Sequence, residues 1–170
     1  MATVLHDRGS RAKPLGPDAF ERALGIGAGV LLAALAAAVA RGRDGWAEVP
    51  GLVWLHLLTI AAALALTPAI LLRRRGDRAH RRLGYGWLGA MFATAATSMF
   101  INLINPGGFS AIHILSAMTM AGVPWVWWTA RTHRVAQHRR AVKMLATGAL
   151  VVAGAFTFPF DRLLGRWLFG

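Results

Sequence analysis

Cysteine is absent from the 170 residues. Disulfides, iron–sulfur clusters, thiolate zinc sites and covalently attached c-type haem are therefore excluded. Charge is scarce as well. Charged residues make up 15% of the chain and hydrophobic residues 56%, whereas a soluble domain carries roughly 25% charge. Neither a disordered chain nor an ordinary soluble globule fits that composition. Acid is the rarest of all, with 7 Asp and Glu against 19 Lys and Arg and a net charge of +12. Only Lys13 and Lys143 are lysine, which leaves 17 arginines. A soluble protein this basic would point to nucleic acid. Here arginine clusters alternate with long uncharged apolar runs, a pattern selected by a bilayer, and no nucleic-acid partner is expected. The apolar runs hold no Asp, Glu or Cys. This argues against a carboxylate proton relay, a membrane protease and a metal site with carboxylate ligands. Gly25-Ile26-Gly27-Ala28-Gly29 lies within an apolar run with no strand before it, so it is not a phosphate loop.

A bilayer core of ~30 Å takes roughly 20 apolar residues of helix. Residues 23–40, 49–72 and 144–160 are uncharged apart from His56. Residues 83–130 form a longer uncharged stretch, broken at Asn105-Pro106-Gly107-Gly108, a strong turn signal. The stretch divides into spans at about 83–104 and 109–130. The sequence thus predicts an all-α integral membrane protein with five transmembrane helices. Residues 73–82 and 131–143 each carry a net charge of +5, while 41–50 is neutral and 103–108 uncharged. By the positive-inside rule the two basic connections are cytoplasmic. The N-terminus is then cytoplasmic and the C-terminus outside, as expected of a bacterial inner-membrane protein. Residues 1–22 read as a cytoplasmic tail, 23–48 as a peripheral first helix and outer loop, 49–160 as a four-helix core, and 161–170 as a short C-terminal tail. The first run reads as a retained helix. The region before it is long and contains acids, unlike a signal-peptide n-region.

The core contains a repeat. Leu55-His56-Leu57-Leu58-Thr59 matches Ile112-His113-Ile114-Leu115-Ser116, and His80-Arg81-Arg82 matches His138-Arg139-Arg140. Pro68 and Pro124 fall between the paired motifs. Residues 49–104 and 109–160 therefore read as two copies of one helical hairpin, related by an axis along the membrane normal. Such an axis places His56 opposite His113 near the outer face and His80 opposite His138 near the inner face.

Intramembrane histidine is rare and usually faces the bundle interior. A pair at equal depth on related helices can ligate one metal, and bis-imidazole haem ligation needs that arrangement. Two readings stand for each pair. His56 and His113 either ligate or bond across helices to Thr59, Ser116 or Asn. His80 and His138 either ligate or sit idle among arginines at the membrane surface. Arg81, Arg82, Arg139 and Arg140 either contact anionic lipid headgroups or pair with haem propionates. Trp125, Trp127 and Trp128 read as an interfacial belt. His133 reads as a surface residue, and His6 carries no signal.

His80-Arg-Arg-Leu-Gly84 and His138-Arg-Arg-Ala-Val-Lys-Met144 resemble segments of the bacterial membrane proteins grouped as domain-of-unknown-function family 2306, over roughly residues 50–160. The four-histidine pattern is also similar to that of the cytochrome b561 superfamily. There, four consecutive helices hold two b-type haems, with ligands from the first and third helices and from the second and fourth. The resemblance implies one or two haems b held by His56 with His113 and by His80 with His138. In this chain the second and fourth histidines sit at helix mouths rather than deeper, and no Lys-x-x-His segment is present. The expected function is that of a membrane b-type cytochrome, with membrane lipid around it and a quinone or a larger membrane complex as partner. An accessory subunit of a respiratory or photosynthetic complex and a small transition-metal-handling protein are the alternatives.

Overall fold

The computed structural model describes residues 16–101, 111–159 and 162–170. Among these residues every regular element is helical: α1 Ala19–Arg41, a 3₁₀ turn Arg43–Glu48, α2 Gly51–Leu71, α3 Arg78–Met99, α4 Ala111–Arg131, α5 Val135–Leu145, a π-helical segment Ala146–Val152, α6 Ala153–Ala155 and α7 Leu163–Phe169. The last long rod is thus composite, running through α5, the π segment and α6. The turn at Asn105, like the tail before residue 16, lies outside the described residues. Two helices, α1 and α2, are long and apolar enough to cross a membrane.

α3 and α5 each start earlier than the uncharged runs suggest. α3 takes in His80, Arg81 and Arg82, and α5 takes in His138, Arg139, Arg140 and Lys143. Charge marks where apolar segments stop, but arginine and lysine are good helix formers. Asp77 caps α3, its Oδ1 accepting from the His80 backbone N–H at 2.6 Å.

α2 and α3 pack as an antiparallel hairpin, as do α4 and the composite rod, and α3 against α4 joins the two hairpins. The core between them is built on Ala63, Leu64, Trp87, Met91, Val126 and Leu150. Inside the first hairpin the buried Trp87 donates from Nε1 to Thr67 Oγ1 at 2.9 Å, and Thr67 donates to the Ala63 carbonyl at 2.7 Å. A buried indole and a buried hydroxyl satisfy each other there. Large side chains ring the outside. Ile26, Val30, Leu58, Ile114 and Met118 are each more than 60% exposed.

α1 lies against both α2 and the composite rod, with α7 folded over its C-terminal half. Leu24, Ala28, Leu35 and Ala38 are buried in this packing. Its start is set by a capping box: Asp18 Oδ1 accepts from Glu21 N, and Glu21 Oε2 accepts from Asp18 N, both at 2.9 Å. Gly42 caps its end, and a Cβ there would lie 2.1 Å from the Trp167 ring of α7, so glycine is what the close approach of that ring requires. Trp46, Trp54 and Trp167 form a chain of rings at this end, with centroids 5.4 and 6.2 Å apart. Trp125 and Trp128, 5.0 Å apart, lie near the opposite end of the bundle.

The first turn of α1 also holds the strongest tie to the rest of the chain. Glu21 is 1% exposed and accepts from Arg139 of α5 at 2.7 and 2.8 Å. It also pairs with Arg75 from the α2–α3 connection. Arg139 reaches Asp18 at 2.9 Å, where Lys143 joins it. Removing one member of a buried ion pair strands the other and costs about 3–5 kcal/mol. Glu21→Ala should therefore lower the unfolding free energy in detergent by about that much. Arg73→Ala, which breaks the exposed Arg73–Asp77 pair, should have little effect. Equal effects from the two variants in thermal denaturation would refute the asymmetry.

Candidate functional site

Two small cavities lie inside the bundle, one toward each end; one is lined by His80 and His138 and the other by His56.

The cavity at the arginine-rich end has a volume of about 50 Å³ and is lined by Arg75, His80, Trp87, Val126, His138 and Arg139 among others. His80 comes from the first turn of α3 and His138 from the first turn of α5. The structure therefore brings this pair of the repeat to one space. His138 Nδ1 lies 3.1 Å from the Val126 carbonyl of α4. A carbonyl only accepts, so Nδ1 carries the proton and Nε2 keeps a free lone pair. This is the tautomer that a metal-binding imidazole adopts, with its second nitrogen oriented by a backbone carbonyl. His80 Nδ1 is buried and has no hydrogen-bond partner. An orphaned polar atom in a cavity calls for something to meet it.

The cavity at the other end has a volume of about 80 Å³ and is lined by His56, Thr94, Ser98, Ser116, Thr119 and Thr157 among others. His56 Nδ1 lies 3.2 Å from the Thr94 carbonyl and 3.0 Å from Thr97 Oγ1. Ser116, Thr119 and Thr157 spend their hydroxyl protons on carbonyls four residues earlier in the chain. Thr94 Oγ1 is buried without a partner. His113 is also buried, at 8% exposure. Among the described residues that line this cavity, α4 contributes Ile112, Leu115, Ser116 and Thr119, and His113 is not one of them.

The four arginines of the histidine motifs part company. Arg139 lines the first cavity but is engaged by Glu21 and Asp18. Arg81, Arg82 and Arg140 are exposed. Arg75, which the sequence reading passes over, reaches the cavity and Glu21 together. The signal that could have found the network is the Asp18-x-x-Glu21 capping box, which places two carboxylates at the mouth of an apolar helix. His133 is exposed and closes the α4–α5 turn with φ of 56°.

Haem can be tested against these spaces. The ligand chemistry is suitable, since His56 and His138 both present Nε2. The room is not. Cavities of about 50 and 80 Å³ fall well short of the roughly 300 Å³ or more of a pocket for a molecule of that size. The engaged Arg139 is also not free for a propionate. Among the described residues no group of three or more His, Asp or Glu could hold a metal. A scan of protein-family models, a search of curated proteins and a search of solved structures each find no match. The likeness to family 2306 and to the cytochrome b561 superfamily is carried by the histidine motifs alone.

The surface carboxylates near the first cavity are held ionised. The Lys143 ammonium and then the Glu21 N–H lower Asp18 to about 2. The Arg73 guanidinium and then the His80 N–H lower Asp77 to about 2. A carboxylate depressed by folding stabilises the fold at pH values above its unfolded pKa, and that contribution is lost as pH falls through the folded value. Melting temperature in detergent should therefore be insensitive to these groups at neutral pH and fall between about pH 4 and pH 2. Asp18→Asn should melt lower at neutral pH and lose part of that acid-dependent fall, whereas Asp77→Asn, at an exposed pair, should change little. An acid profile unchanged in Asp18→Asn would show that this carboxylate is not responsible.

Proposed function

We propose that this chain is a membrane protein of five crossing helices that holds a transition-metal ion between His80 and His138, in the service of metal handling or electron transfer. The observation that carries the reading is the shared cavity. Two imidazoles from equivalent turns of the repeat line one space of about 50 Å³, one with its lone pair exposed by a backbone bond and one with a buried, unpartnered nitrogen. Imidazole suits copper, zinc, iron and nickel. Of these, copper would suit a site of two neutral imidazole nitrogens without a carboxylate, and His80 and His138 would be the residues that hold it. The nearby Arg75 and Arg139 are offset by Glu21 and Asp18, which lowers the cost of a single added positive charge.

The membrane setting is supported by several features at once. The exposed apolar belt is of a kind that soluble monomers seldom carry. Tryptophan clusters flank it at both ends. α3, α4 and the composite rod match α1 and α2 in length. With the basic end in the cytoplasm, the N-terminus is inside and the C-terminus outside, in a bacterial inner membrane. A reporter enzyme that is active only outside the cytoplasm, fused after Gly170, should be active; an inactive fusion of a stably inserted protein would reverse the orientation.

A b-type cytochrome draws on the same histidines. It is favoured by His56, whose Nδ1 faces a carbonyl as that of His138 does, at the other end of the bundle. It requires the helices to part around the ring. Metal analysis and a reduced-minus-oxidised spectrum of protein purified in detergent separate the two. Copper at one equivalent, lost at least tenfold in His80→Ala and in His138→Ala but kept in His133→Ala, is the expected result. Haem bands that survive purification would replace the ion reading with the cytochrome. Neither metal nor haem after copper loading would overturn both.

A further inference from the structure

A further cavity in the bundle is lined by no histidine among the described residues. It is a groove of about 440 Å³ between α4 and the composite rod. Its floor is made of small residues, Gly122 on α4 and Gly148 and Ala149 in the π segment. π-helical turns inside α-helices occur frequently at functional sites. Met118 and Met144 line the groove and are 63% and 64% exposed, so it opens sideways onto the face that the apolar belt presents to lipid. The wall is almost wholly apolar until the arginine-rich end, where Trp125, Gln137 and Arg140 line it.

Arg140 is the only cation among the lining residues. The described carboxylates at this end of the bundle are already engaged: Asp18 and Glu21 by Arg75, Arg139 and Lys143, and Asp77 by Arg73. Arg131 and Arg134 lie over the rings of Trp127 and Trp128. The groove thus has a long apolar bed and an uncompensated guanidinium at its headgroup end. A guanidinium matches a phosphate through paired N–H donors. A volume of about 440 Å³ lies within the range of pockets for molecular ligands, about 300–1,000 Å³.

We infer that this groove is a binding site for one anionic phospholipid of the surrounding bilayer. Its phosphate pairs with Arg140, and one acyl chain lies along the α4–π-segment seam. Zwitterionic lipid carries a phosphate too, but its own ammonium competes for that phosphate, so the site selects net negative headgroups. The site is independent of the histidine cavity.

The test is native mass spectrometry of the full chain released from nanodiscs of phosphatidylcholine with one fifth phosphatidylglycerol. One phosphatidylglycerol should remain bound after detergent exchange removes bulk lipid. Arg140→Gln should reduce its retention at least fivefold. Ala141→Phe, which fills the bed from α5, should do so as well. Arg81→Gln, an exposed cation outside the groove, should retain it. Arg140→Lys should retain part, because charge persists without the paired donors. Phosphatidylcholine retained equally well, or retention indifferent to both Arg140→Gln and Ala141→Phe, would overturn the assignment. A neutral quinone recovered in place of phospholipid would overturn it too. Should Ala141→Phe fail to fold, the comparison of Arg140→Gln with Arg81→Gln decides.

Discussion

One buried carboxylate organises the arginine-rich end of this protein. Glu21 is almost fully enclosed, yet it meets cations from two different parts of the chain, Arg75 after α2 and Arg139 on α5. A buried acid without such partners would be neutralised or driven out to water. Its placement therefore constrains the register of α1 against α2 and against the composite rod together. Net stability is not the main gain, because desolvation offsets much of the attraction in a buried pair. What the network supplies is position. Apolar helix faces tolerate sliding by a turn, but five charges with matched donors do not. Arg139 is the neighbour of His138, so the same contacts also fix the turn that delivers this imidazole to the cavity.

The His80 and His138 motifs open their helices in the same way, so their surroundings can be compared directly. His80 and His138 occupy matching first turns and share a space. Their surroundings differ, however: His138 has the Val126 carbonyl, and His80 Nδ1 has no partner. At the other end, His56 leans on α3 through Thr94 and Thr97, while α4 presents Ile112, Leu115, Ser116 and Thr119 to the cavity.

The all-helical character was legible in the sequence because long uncharged apolar runs favour such rods; of the five crossings the sequence predicts, α1 and α2 are long and apolar enough to span a membrane. Helix starts were less legible. Charge ended the apolar runs at residues 83 and 144, but the helices reach back to Arg78 and Val135 through arginines that helix geometry accepts readily. The depth of α1 in the packing was hidden because its anchor lies in Asp18 and Glu21, residues that composition alone assigns to a polar tail. The convergence of His80 with His138 was legible from spacing; the size of the space between them was not. Cavity volume depends on how bulky neighbours such as Trp87 fill the gap, and no spacing rule reports that.

The rods themselves have a further consequence. α1 has 23 residues, α2 21, α3 22 and α4 21, so each is roughly 31–35 Å long at 1.5 Å per residue. At one end Trp46 donates to the Val39 carbonyl at 3.0 Å and lies edge-on to Trp54, which in turn meets Trp167. At the other, Trp127 and Trp128 are each held beneath an arginine. In the proposed membrane setting, rods of nearly one length with aromatic collars at both rims would leave the bundle little freedom to absorb a change in bilayer thickness by tilting a single helix. A thinner or thicker membrane would then act on all the rods together, and the shared seams between them would carry that load.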